Sequence, residues 1–131
     1  MARNFVRETP VRWDRTAVPS VVFTTPPLAR AGLLEEEAER RGKTFRVHEG
    51  NASSWFSSRH VHEPGAATKV LVEEKTGLIL GAHLLGPAAS EVINLFALAM
   101  QNGLTSEQVR DTIYAFPTAS SDVPSMIPRP G

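Results

Sequence analysis

The stretch Lys69–Asp122, KVLVEEKTGLILGAHLLGPAASEVINLFALAMQNGLTSEQVRDTIYAFPTASSD, decides the fold. Val70–Glu74 is β-branched and apolar with polar ends, and Leu78–Leu85 is a second apolar run. Lys75-Thr76-Gly77 lies between them as a turn, with Gly77 free to take positive φ. The pair is therefore expected as an antiparallel hairpin over 69–74 and 78–85. Gly81, inside the second run, points to a bulge or a close backbone approach. Gly86-Pro87 stops that strand and opens a helix from about Ala88 to Gln101, which Gly103 ends.

That helix carries the strongest functional signal. Past its first turn, Val92, Ile93, Leu95, Phe96, Ala97, Leu98, Ala99 and Met100 leave almost no polar face. A surface helix has one apolar stripe, so this one needs cover on two sides. Val92, Phe96 and Met100 share one face, and Ile93 and Ala97 lie on an adjacent one. One face is expected to meet the chain's own sheet and the other a second copy, which makes these five residues the candidate dimer interface. A central core helix without a partner is the alternative.

Working outward, Ser20–Thr24 is a strand closed by Thr25-Pro26-Pro27, and Leu33–Arg41 is a helix, acidic first and basic last, closed by Gly42. Glu35, Glu36 and Glu37 point in different directions and suit a solvated face better than a cation site. Thr44–His48 is another strand. Residues 49–67 have the least regular pattern, with Trp55 and Phe56 expected as anchors for a long surface segment. His60-Val61-His62-Glu63 is an incomplete metal set, because zinc takes three or four protein ligands. Thr105 with Gln108 forms a capping-box pattern for a last helix ending near Tyr114. Ser120-Ser121-Asp122 suits a capped turn into a helical segment, reaching about Ile127, better than nucleophile chemistry.

Composition bounds the function. The chain has 131 residues, enough for one domain with a core, and 41% of them are hydrophobic. A net charge of zero argues against a nucleic-acid module, whose phosphate partner demands a basic face. With no cysteine there is no disulfide framework and no thiolate chemistry. No apolar run is long enough for a membrane span, and MARNFVRETPVRW lacks a signal-peptide core, so a cytoplasmic setting is expected. The fold class expected is α+β, an antiparallel sheet with helices packed on it. The domain is expected over 18–127, after a lead-in (1–17) and before a tail (128–131).

Four stretches resemble the C-terminal dimerisation domain of the FAD-dependent pyridine nucleotide–disulfide oxidoreductases, which include glutathione reductase, dihydrolipoamide dehydrogenase and mercuric reductase. VPSVVFTTPPLARAGLLEEEA (18–38) resembles the entry strand, turn and first helix of that domain. KVLVEEKTGLILGAHLLGPAASEVINLFALAM (69–100) resembles its hairpin and interface helix. NGLTSEQVRDTIYAFPT (102–118) resembles the second helix and the turn ending in Pro-Thr, and Ala2-Arg3-Asn4 the end of the preceding FAD domain.

The resemblance implies a homodimerisation domain, here without the FAD and NAD(P)H domains of its parent, which would supply both cofactors. The chain has no Gly-rich dinucleotide fingerprint and is too short for two such domains. Alone it is expected to bind no cofactor and to have no reductase activity. Disulfide reductases of this family carry a His before the matching proline and a Glu a few residues on, a pair that shuttles a proton in the partner subunit. Phe116 and Ser121 occupy those positions here. A phenyl ring cannot carry a proton, so no catalytic residue is assigned, and an acceptor other than a disulfide, such as a quinone, is implied for the parent. A stand-alone small-molecule or metal-binding module using Trp55–Glu63 and His83 is the alternative function.

Overall fold

A computed structural model describes residues 17–129. The expected lead-in, apart from Ala17, and the Ala2-Arg3-Asn4 match lie outside the described residues, as do residues 130 and 131 of the tail. The elements run β1 (Ser20–Val22), β2 (Leu28–Gly32), α1 (Glu35–Arg40), β3 (Phe45–Asn51), α2 (Phe56–His60), β4 (Ala67–Glu73), β5 (Ile79–Leu85), α3 (Ala89–Gln101), α4 (Ser106–Arg110), a 3-10 turn (Ala119–Asp122) and α5 (Val123–Met126). The strands form one sheet in the order β1-β2-β5-β4-β3, and each neighbouring pair is antiparallel. The α+β architecture and the hairpin at Lys75-Thr76-Gly77 are as expected, with Gly77 at φ 71°.

No sequence signal points to β2 as a strand. LARAG has no β-branched residue, and alanine is depleted in strands. Its function is spatial. Ala29 and Ala31 are buried, and their small side chains let α3 lie close on the sheet. At the end of β2, Gly32 faces Gly81. A Cβ on Gly81 would stand 2.1 Å from the Leu33 carbonyl oxygen. The glycine is therefore the close approach its position suggested. The register shifts between Leu71 and Val72, so that Ile79 and Ala82, three apart, both join the main core.

The sheet has two unequal faces. On one, Val70, Val72, Ala82 and Leu84 pack under α3, α4 and α5 with Ile93, Phe96, Val109, Val123 and Ile127. On the other, a smaller cluster of Leu33, Ala38 and Leu71 is covered by α1, with Phe45 and Leu80 packed against it. At fully buried positions such as Phe96 and Leu71 each apolar side chain contributes about 2–3 kcal/mol relative to exposure.

Local chemistry sets the helix ends. Thr105 N–H donates to Gln108 Oε1 (2.9 Å) while Gln108 N–H donates to Thr105 Oγ1 (3.2 Å), so the capping box forms. That helix ends at Arg110, shorter than the expected run to Tyr114. Pro87 lies just before α3, whose N-cap is Ala88, and Gly103 at φ 63° ends it. At α1, Leu34 N–H donates to Glu37 Oε2 (2.9 Å), the main cause holding that carboxyl below its ordinary range.

Candidate functional site

Helix α3 crosses β2 and β5, and its placement decides which side chains a partner could reach. Ala89, Val92, Ile93, Phe96, Ala97 and Ala99 are buried within the single chain. Val92, Ile93, Phe96 and Ala97, four of the five residues expected to offer a dimer surface, are 0–4% exposed, and Met100 is half-buried. Both faces named from the sequence are thus taken up by the chain's own sheet and C-terminal segment. The reason is that β2 and β5 cover one side of the helix while Val109, Val123, Met126 and Ile127 of the C-terminal segment join the same core beside it, which spacing along α3 alone does not reveal. Outward, the helix presents Glu91, Asn94, Leu98 and Gln101, with Leu95 half-buried beside them. These positions follow helical spacing along one strip. Leu98 is 56% exposed in the middle of it. Asn94 Nδ2 donates to Ser90 O (3.0 Å), which ties that amide to its own helix.

The second exposed feature is the segment after α4. Ile113 is 98% exposed and Phe116 83% exposed, an uncommon display for large apolar side chains on an ordered segment. Its base is firmly tied. Tyr114 OH donates to Val109 O (2.8 Å), and Thr118 Oγ1 donates to Ala115 O (2.6 Å). Ser121 Oγ donates to Thr118 O (2.6 Å), and Asp122 Oδ2 accepts from Ser57 N–H (3.1 Å). The hydroxyl and carboxylate are thus engaged in holding the turn, as the capped-turn reading expects. Burial raises the Tyr114 phenol above its ordinary value.

On the sheet face away from α3, strand register aligns Arg30, His83, Lys69 and Glu49 in one cross-strand row. Lys69 Nζ bridges Glu35 (2.6 Å) and Glu49 (2.8 Å), which raises its pKa. Two of the three residues Glu35–Glu37 are thereby accounted for, one as this ion-pair partner and one as the cap on Leu34. His83 Nε2 donates to Leu33 O (3.1 Å). Burial, with Arg30 and Lys69 adding, lowers its pKa against the opposing effect of that bond. Beside this row, Leu28, Ala67, Leu85 and Asn51 line an open groove of about 480 Å³.

Residues 49–67 are more regular than their sequence suggests, because α2 forms within them. Trp55 packs against the main core, while Phe56 stacks on His60 with ring centroids 5.7 Å apart. His62 sits in a turn at φ 56°, so His60 and His62 do not share a strand face. Among the described residues no three histidine or acidic side chains converge as a metal set. No helix among them is long and apolar enough to cross a membrane. All strand pairs among them are antiparallel, whereas the dinucleotide cradle needs a parallel βαβ unit with a Gly-rich turn. These residues do not form that cradle by themselves.

Residues 18–127 match the family model described as pyridine nucleotide-disulphide oxidoreductase, dimerisation domain. An uncharacterized 19.7 kDa protein in a mercuric resistance operon of Staphylococcus aureus is 38% identical over 127 residues, 97% of this chain and 71% of that protein. Dihydrolipoyl dehydrogenase of Haloferax volcanii is 34% identical over 94% of this chain but only 26% of the enzyme. The structure of the HOCl-induced flavoprotein disulfide reductase RclA from Escherichia coli superposes with a TM-score of 0.81 at 33% identity. That match covers 86% of this chain and 26% of the reductase. The chain therefore spans about a quarter of these enzymes and most of the short staphylococcal protein.

Proposed function

Because the chain belongs to the pyridine nucleotide-disulphide oxidoreductase dimerisation-domain family, we propose that it forms a two-fold homodimer through the outer strip of α3 and holds flavin-bearing domains in register. Leu98 carries this reading. A 56% exposed leucine with Leu95 beside it, between Glu91, Asn94 and Gln101, makes an apolar centre with a polar rim. A two-fold contact applies the same patch twice, so one such strip covers its own copy. Val92, Ile93, Phe96 and Ala97 then act from behind, fixing the helix on the sheet.

In the same reading FAD and NAD(P)H belong to domains outside this chain, in a cytoplasmic assembly. Those domains carry the flavin chemistry, and this chain orients one copy against the other. The 112–118 segment then projects Ile113 and Phe116 toward the partner. Phe116 stands where the resemblance places a proton-shuttling histidine, and its ring has no proton to give. The assembly therefore passes electrons to an acceptor that needs no protonated thiol at this position, such as a quinone. The staphylococcal relative, of which this chain spans 71%, supports a second reading, a short form of the domain acting as a separate polypeptide.

The chain's lack of cysteine makes the test clean. Leu98→Cys should oxidise to a covalent dimer, because equivalent positions near a two-fold axis approach one another. Glu39→Cys, on the exposed side of α1, should form no inter-chain disulfide under the same conditions. Equal cross-linking of both variants would overturn the proposed surface.

A further inference from the structure

Two hydroxyls, Ser58 Oγ on α2 and Thr68 Oγ1 on β4, are buried without a hydrogen-bond partner among the described residues. The two residues are only 1% and 6% exposed. Both line one cavity, with Trp55, Ala66, Leu84, Val92, Ala119 and Met126 among its other walls. Its room for the centre of a water molecule is about 20 Å³. A buried water needs roughly 10–15 Å³ of occupied volume, about one water-sized sphere, and two to four polar partners. A buried hydroxyl is almost always paired, and each of these can both donate and accept.

We infer that one ordered water occupies this cavity and bridges Ser58 Oγ to Thr68 Oγ1. The position gives the bridge a structural role. It joins α2 to β4 of the sheet. The same helix is bound through Ser57 N–H to Asp122, and Ala119 forms part of the wall. The water thus lies beneath the turn that follows Phe116 and steadies its base. The pocket suits water rather than a larger ligand because a water centre has only about 20 Å³ to occupy and the side chains around the two hydroxyls are mostly apolar. Thr68 also explains the glycine opposite it. A Cβ on Gly50 would lie 3.2 Å from Thr68 Oγ1 and crowd the hydroxyl.

Oxygen-17 relaxation dispersion on the wild-type chain and on the Ser58→Ala/Thr68→Val double variant tests the bridge, together with a high-resolution crystal structure of the wild type. The expected result is one water oxygen within hydrogen-bond distance of both hydroxyls. The dispersion amplitude should fall in the double variant by about one long-lived water. Equal amplitudes in two folded proteins would overturn the inference. So would an empty cavity in the density, or hydroxyls bonded instead to protein carbonyls. Should the double variant not fold, the wild-type density decides alone.

Discussion

Gly81→Ala tests the packing of the sheet on its second face. The new methyl would sit 2.1 Å from Leu33 O and 3.2–3.3 Å from the Leu33 carbonyl carbon and nitrogen. Carbon and oxygen need roughly an ångström more, and the obstacle is backbone rather than a flexible side-chain tip. The chain at Leu33 must therefore retreat, and its N–H is held to Leu80 O at 2.8 Å. Overpacking of this kind costs about 1–3 kcal/mol, and losing the backbone bond adds about 1 kcal/mol. The expected total is about 3 kcal/mol, a large part of a stability of roughly 5–15 kcal/mol, and about a 10 °C fall in Tm. Urea unfolding at fixed chain concentration reads this out. Gly42→Ala is the control, because nothing lies within 4 Å of its Cβ position and only its φ of 65° opposes a side chain. That variant should lose about 1–2 kcal/mol. A Gly81→Ala protein as stable as wild type, or more stable than Gly42→Ala, would refute the reasoning.

Phe96→Ala removes a wholly buried ring and should cost about 3–5 kcal/mol in denaturant unfolding, whereas a cost under about 1 kcal/mol would mean the helix is not seated as described. Thr105→Ala removes half of the capping box and should cost about 1 kcal/mol; a thermal melt coincident with wild type would show that the cap contributes nothing. His83, depressed in the folded state, binds fewer protons folded than unfolded, so stability should fall as pH drops below its ordinary value of 6.5 and be fully present above it. Urea midpoints across that window should show a shallower pH slope for His83→Gln, and an unchanged slope would exclude this residue. Lys69 has the opposite sign: its ion pairs to Glu35 and Glu49 support folding below the ordinary lysine pKa and are lost as pH rises through the raised one, so Lys69→Met should lessen the loss of stability in strong alkali.

The hairpin, α3, the capping box and the family resemblance were legible because each rests on local rules: a turn glycine, an apolar run of helical length, a Thr-x-x-Gln spacing. Three things were not. β2 was hidden because its alanines carry helix propensity, while their role comes from α3 lying against them. α2 was hidden among polar residues, since its support comes from Trp55 in the core and Asp122 far along the chain. On α3 the apolar character was evident, but the outward strip was not. Its residues Leu95 and Leu98 are no more apolar than the buried Ile93 and Phe96, and only packing against β2, β5 and the rest of the core tells them apart. A charge at Phe96 would therefore unfold the chain rather than split a dimer. His83 in turn is paired to a backbone oxygen fifty residues away, a contact that no spacing announces.

The central claim is that Leu98 lies in a surface joining two copies, and the most direct measurement is the mass in solution of wild type and Leu98→Glu by sedimentation equilibrium over a concentration series. The variant alters a half-exposed side chain, so its unfolding midpoint should stay close to that of wild type. The account predicts twice the chain mass for wild type and a single chain mass for Leu98→Glu at the same concentrations. A wild type that remains a single chain at every concentration, or a Leu98→Glu protein that remains a dimer, would contradict it.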